Sequence, residues 1–163
     1  MKTRDSSKPA RRFPLPATRP GAPLAVGVDG AQLWPLRHVL DKRGNLIPVE
    51  FEGELPFVPR RQFFIHDVGD DHIRGEHAHR ICHQFLFAVV GSLAVIVDDG
   101  REAREIALED AGYGLYLPPY VWGVQYLFKP HTVLAVYASH PYDAAEYIRD
   151  YDEFLEAIRS KAQ

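Results

Sequence analysis

Turn signals cut this chain into short apolar segments from Gln32 onward, and that punctuation limits its possible folds more than any other feature. Gln32 to Leu40, with Pro35 placing it at an edge or bulge, and Leu46 to Phe51 flank Asp41-Lys42-Arg43-Gly44-Asn45 as a hairpin. Gln62 to Val68 follows a loop bearing Pro56 and Pro59, and Gly69-Asp70-Asp71 then turns the chain. Gln84 to Val90 and Leu93 to Val97 enclose Gly91-Ser92, a connection that begins with glycine and suits a type II′ hairpin. Ala103 to Leu108 comes after Asp98-Asp99-Gly100, and Tyr113 to Leu117, Val124 to Phe128 and Val133 to Ser139 are separated by Pro118-Pro119 and Lys129-Pro130-His131. Strands at this spacing predict an all-β sandwich or barrel. From Asp143 the period changes. Tyr147, Ile148, Tyr151, Phe154, Leu155 and Ile158 recur every three or four residues, which predicts a C-terminal α-helix over about 143–161, its apolar stripe set against the barrel or a second subunit.

With 163 residues, 46% of them hydrophobic, the chain has enough apolar surface for one domain with its own core. The formal net charge is −3, yet Lys2, Arg4, Lys8, Arg11, Arg12 and Arg19 crowd the first twenty residues against Asp5 alone. Four prolines and the lack of a hydrophobic period there predict a flexible basic arm over 1–30, ahead of a single domain over 31–163. Without interleaved aromatics or a basic fold behind it, the arm is not expected to bind nucleic acid. Cys82, the one cysteine, has no partner for an internal disulfide, which fits a reducing compartment; its expected role is that of a small buried apolar residue. No apolar run reaches the roughly 18 residues of a membrane helix, and a soluble cytoplasmic protein is expected.

The candidate chemistry lies in Arg74-Gly75-Glu76-His77-Ala78-His79. Side chains on an extended segment alternate faces, so an H-x-H pair directs both imidazoles into one small volume. With an ordinary pKa near 6.5, neutral base and protonated acid are both accessible to such a pair at neutral pH.

Gln84 five positions after His79, and Gly91 seven further on, resemble the first motif of the cupin barrels, with glutamine where a metal-binding cupin usually carries glutamate. The chain resembles, more narrowly, the sugar nucleotide 3,4-ketoisomerases, which are WxcM-like, RmlC-like cupins of deoxysugar and glycan biosynthesis. The resemblance rests on Asp41-x-Arg43-Gly44-x-Leu46 with Glu50, Leu55-Pro56-Phe57 followed by Arg61, the R-G-x-H-A-H element, Gln84, Asp98-Asp99-Gly100, Gly114-Leu115-Tyr116, Val121-Trp122, and Tyr142-Asp143 with Tyr147-Ile148-Arg149-x-Tyr151-x-x-Phe154. It implies a cupin jelly roll, a homodimer, and movement of the keto group of dTDP-4-keto-6-deoxyglucose from C4 to C3 through an enediol, without a cofactor. By this resemblance His77 is the base and His79 helps the proton shuttle or polarises the carbonyl. Arg74 and Arg61 are expected to hold diphosphate or sugar oxygens through their forks of donors, and Gln84 and Trp122 are expected to line the substrate site.

Two departures from the family pattern stand out. Gly123 replaces a histidine after Val121-Trp122, and Phe63 and Phe64 replace a pair of tyrosines. His83 and Tyr126 are the nearest polar candidates to substitute. With Gln84 at the carboxylate position and Gly123 at the later histidine position, only two clear metal ligands remain, so no metal is expected. Two other functions fit the same scaffold: 3,5-epimerisation of a 4-keto sugar nucleotide, and sugar nucleotide binding without turnover.

Overall fold

Alternating inward and outward side chains sort the strands into two facing sheets. The computed structural model describes residues 2–4, 9–17, 21–69, 71–109 and 111–161. In chain order the strands are β1 (Arg11–Arg12), β2 (Leu24–Ala25), β3 (Gln32–Pro35), β4 (Val39–Asp41), β5 (Gly44–Leu46), β6 (Arg61–His66) and β7 (Arg74–His79). They continue with β8 (Gln84–Val90), β9 (Leu93–Asp98), β10 (Ala103–Leu108), β11 (Tyr113–Leu117), β12 (Trp122–Tyr126), β13 (Val133–Ala138) and β14 (Tyr147–Ile148), and the helix α1 (Tyr151–Lys161) follows. One sheet runs β1-β10-β9-β12-β7-β14, the other β2-β3-β11-β8-β13-β6, and β4-β5 form a separate hairpin. This is the expected all-β architecture, a jelly-roll-like sandwich with a helix at its end.

Leu33, Leu86, Val95, Val97, Ile106, Leu108, Leu115 and Leu134 fill the space between the sheets. In β6 the alternation is plain: Phe63 and Ile65 pack against that core, while Gln62, Phe64 and His66 are exposed. Two further clusters cover the outer faces. Trp34, Phe85, Phe87, Tyr116 and Tyr137 belong to one; Ala78, Trp122, Val124, Ile148 and Phe154 form the other, beneath α1. Phe154 is fully buried, its ring 5.6 Å from that of Trp122, and burial of such a side chain contributes roughly 1.5–3 kcal/mol. Asp150 caps α1 by accepting from the Asp152 and Glu153 amides.

Two boundaries differ from expectation. The Gln32 to Leu40 segment breaks after Pro35, and β4 belongs to the separate hairpin. The helix begins at Tyr151 rather than near Asp143, because Tyr147 and Ile148 pair in extended form with His79 and Ala78 and cover the open edge of β7. Asp143 instead caps a short 3-10 turn over Ala144–Glu146. The apolar stripe of α1 is accordingly used within the chain, on Trp122 and Ile148.

The arm is pinned at several of its described residues rather than loose. The Lys2 amide donates to Asp150, the Lys2 ammonium lies 2.8 Å from Asp152, and the Arg4 guanidinium meets Asp98 at 2.5 Å. Arg11 and Arg12 pair in parallel with Arg104 and Glu105 of β10, and Phe13 and Leu15 pack against the core. A two-residue strand is too short to leave a period in the sequence, and its partner is an edge whose unpaired backbone groups favour such cover. Residues 1, 5–8 and 18–20 of the arm lie outside the described residues.

Candidate active site

The histidine segment bends before it reaches its functional residues. Gly75 has φ +83° and lies so close to β12 that a Cβ would sit 2.6 Å from the Gly123 carbonyl oxygen, so only glycine fits. Glu76 also has positive φ, and the β7-β12 register shifts between Gly123 and Val124. Beyond this irregularity His77 pairs with Gly123. A Cβ on Gly123 would touch Leu117 of the inner core, which places the His77 side of β7 between the sheets. Ala78 points the opposite way, under α1. His77 and His79 therefore converge on one volume, as the period of two predicts.

Their rings lie 4.9 Å apart, and Tyr147 packs 4.9 Å from His77 and 4.4 Å from His79. Two guanidinium groups meet this tyrosine: Arg149 lies 4.3 Å over its ring, and Arg61 Nη2 approaches its hydroxyl at 3.5 Å. Arg61 also stacks on Phe63 at 5.3 Å and on Tyr142 at 5.6 Å.

The two histidines are held differently. His77 Nδ1 lies 2.9 Å from the Gly75 carbonyl oxygen, which can only accept, so Nδ1 carries the proton and Nε2 the lone pair. His79 Nδ1 lies 2.6 Å from Glu146 Oε1, while Glu146 Oε2 accepts from the Ile81 and Cys82 amides. Burial lowers the His77 pKa to about 4, aided by the positive potential of His79 and Arg149 and opposed by the Gly75 hydrogen bond and Glu146. Burial lowers that of His79 as well, against the opposing effect of Glu146. His79 Nε2 and Arg61 Nε are buried without a hydrogen-bond partner among the described residues.

The other sequence candidates divide by strand parity. Arg61 belongs to the ring cluster, and Gln84 is buried on the inner side of β8, paired with Leu117 and Ala138. Arg74 is exposed at the end of β7 remote from His79. Trp122 and Tyr126 face away from the histidines, contrary to their expected place at the substrate: Trp122 is core beneath α1, and Tyr126 donates to Glu105. Burial, with the Glu105 carboxylate, raises the Tyr126 pKa to about 12. His83 is on the outer side of the second sheet, with Nδ1 2.7 Å from the Tyr116 hydroxyl and its ring near Phe57. It substitutes for no group beside His77. Of the two departing phenylalanines, Phe63 faces inward beside Arg61 and Phe64 is exposed.

Sequence reading missed Glu146 and Arg149 and assigned Tyr147 to helix packing. A carboxylate 67 positions from its histidine leaves no local pattern. His79, Cys82 and Glu146 also form the one candidate metal group among the described residues, with ligand atoms within 4.8 Å of one another. Both Glu146 oxygens are already engaged by hydrogen bonds, and the arrangement is that of an oriented acid-base pair.

Comparison with known proteins adds an independent line. The family model described as FdtA, WxcM-like, C-terminal matches residues 29–159. A TDP-4-oxo-6-deoxy-alpha-D-glucose-3,4-oxoisomerase of Aneurinibacillus thermoaerophilus is 38% identical over 122 residues, covering 75% of this chain and 88% of that protein. Among solved structures, QdtA, a sugar 3,4-ketoisomerase from Thermoanaerobacterium thermosaccharolyticum in complex with TDP, matches with a TM-score of 0.79 at 34% identity, over 82% of this chain and 97% of its own. The WlaRB TDP-quinovose 3,4-ketoisomerase from Campylobacter jejuni gives a TM-score of 0.76 at 38% identity, over 79% and 99%.

Proposed function

The chain belongs to the FdtA, WxcM-like family, and from that membership we propose that it is a sugar nucleotide 3,4-ketoisomerase, an isomerase of deoxysugar biosynthesis acting on TDP-4-keto-6-deoxyglucose. The observation that carries the reading is the pair of inward-facing histidines, 4.9 Å apart, with differently held Nδ1 atoms. A keto group moves from C4 to C3 when the C3 hydrogen leaves as a proton, O4 is protonated to give an enediol, O3 loses its proton, and C4 gains one. Two proton carriers beside two adjacent carbons and their two oxygens meet that requirement.

His77 acts as the base toward carbon. Its Nε2 lone pair is fixed by the Gly75 contact, and its depressed pKa keeps the ring neutral at pH 7. His79 serves the oxygens. Arg61 and Arg149, whose guanidinium groups border Tyr147, are placed to meet the diphosphate or sugar oxygens. Gln84 lines the inner wall. Exposed Val39, Leu40 and Leu46 on the β4-β5 hairpin, with Phe64, support a homodimer. The unpaired Cys82 supports a reducing cytoplasmic setting, and no described helix is long and apolar enough to cross a membrane.

Mixing the protein with TDP-4-keto-6-deoxyglucose in heavy water tests the reading by NMR. The expected result is a 3-keto product, with loss of the C3 hydrogen signal from remaining substrate. Tight binding with neither change would leave a sugar nucleotide binder in place of an enzyme.

A further inference from the structure

Glu146, the last residue of the 3-10 turn, is buried with its side chain on the histidine strand, and its two oxygens do different things. One is anchored by the Ile81 and Cys82 amides, at 3.2 Å and 3.3 Å; the other meets His79 Nδ1 at 2.6 Å. His79 Nε2, buried and without a hydrogen-bond partner among the described residues, is therefore the free end of a fixed ring. His77 is held by a neutral carbonyl instead. A carboxylate balances a positive imidazolium and a carbonyl does so only weakly, so the structure makes the two histidines unequal proton carriers.

We infer that Glu146 is a positioning residue that reserves Nδ1 of His79 for a permanent proton and makes Nε2 the atom that carries a proton between the two substrate oxygens. The inference rests on the ketoisomerase reading and divides the labour within it. In the forward direction His77 Nε2 takes the C3 proton while His79 Nε2-H gives its proton to O4, forming the enediol. His79 Nε2 then takes the O3 proton, and His77 returns its proton to C4. The cycle starts from the form in which His79 is doubly protonated, which Glu146 favours and burial opposes, and through the cycle that extra proton resides on His79 when His77 is neutral and on His77 when His79 is neutral. Two rings 4.9 Å apart thus never bear charge together. Tyr147, Arg61, Arg149 and Cys82 are the other titratable or charged groups around this pair.

Glu146→Gln tests the assignment. Its single acceptor oxygen is drawn to the two backbone amides, which leaves the NH₂ facing His79 Nδ1. The ring must then hold its proton on Nε2. Nitrogen-15 NMR of histidine-labelled protein without substrate should show Nδ1 of His79 protonated in the wild type and unprotonated in the variant. Turnover should fall by about 10²-fold or more, as when a triad carboxylate that sets a histidine tautomer is removed, with KM little changed. Exchange of the C3 hydrogen should fall less than turnover, because a neutral Nε2-H still polarises O4 but cannot complete the relay to O3. A wild-type His79 with Nδ1 unprotonated would overturn the inference even if the variant failed to fold. So would a folded variant with the wild-type tautomer and undiminished kcat. Because the tautomer is measured without substrate, these outcomes are distinct from failure of the ketoisomerase reading, which the wild-type heavy-water experiment alone decides.

Discussion

Gly123 stands opposite His77 in the β12-β7 ladder, at a point where a Cβ would lie 3.1 Å from Leu117 Cδ2. The position at which the family commonly has a histidine is thus beside the proposed base, and here it is packed against the core. Leu117 is almost fully buried and cannot move without displacing its neighbours.

Gly123→His is therefore expected to cost about 1–3 kcal/mol, the usual range for overpacking a core, measured as a lower urea midpoint. Combination with Leu117→Val should recover part of that loss. If an imidazole opposite His77 assists catalysis, turnover should rise in the double variant more than in the single one. A single variant as stable as wild type would show that Leu117 yields freely.

His77→Asn removes the basic nitrogen while retaining size and polarity. Turnover should drop by roughly 10²- to 10⁴-fold, C3 exchange should vanish, and calorimetry should still detect TDP-sugar binding. His79→Asn should retain measurable C3 exchange while forming little product. Loss of binding in the first variant would assign His77 to substrate recognition instead.

Acid should affect activity and stability through the same ring. His77 has its pKa lowered from 6.5 to about 4 by burial and by His79 and Arg149, with the Gly75 carbonyl and Glu146 opposing; Tyr147 and Arg61 complete its surroundings. The base remains neutral as pH falls from 7 to 5, so the His77-dependent limb of kcat/KM should appear only near pH 4. The unfolded chain binds a proton at this ring between pH 6.5 and 4 while the folded chain does not, so folding stability falls as pH drops through that window. His79 and His83, also lowered, act in the same direction. Urea midpoints at pH 7 and pH 5 should therefore differ less for His77→Asn than for wild type.

The pinned arm is expected to contribute to stability. Arg4 and Asp98 are both nearly buried, and Asp98 also accepts from the Tyr151 hydroxyl and the Gly100 amide. Arg4→Ala should cost on the order of 3 kcal/mol, as when one partner of a buried pair is removed, and deletion of Met1 to Pro20 should cost at least as much. Equal melting temperatures for the deleted and full-length chains would show that the arm contributes nothing.

Sedimentation tests the proposed assembly. The exposed apolar groups on β4-β5 and Phe64 call for cover by a second copy, so a particle of about twice 18.5 kDa is expected at micromolar concentration. Leu40→Glu together with Leu46→Glu should shift it toward the monomer. An 18.5 kDa particle for wild type would remove the dimer.

The strand-rich architecture and the shared direction of His77 and His79 were legible in the residues alone, because both follow from periodicity: turn residues bound the strands, and i and i+2 share a face wherever the chain is extended. The sequence also singled out Arg61 through the family pattern, as a candidate to hold diphosphate or sugar oxygens; its stacking on Phe63 and Tyr142 came from the fold. The rest depends on contacts between segments far apart in the chain. Tyr147 and Ile148 fit a helical stripe equally well in one dimension, but the open edge of β7 drew them into a strand and turned Tyr147 toward the histidines. Trp122 and Tyr126 alternate with Gly123 along β12 and so lie on the other face of the sheet, but that this face is the one away from the histidines follows from the pairing of Gly123 with His77. Glu146 reaches His79 across 67 positions, and a hydrogen bond between distant segments depends on where the backbone returns, which no local spacing encodes.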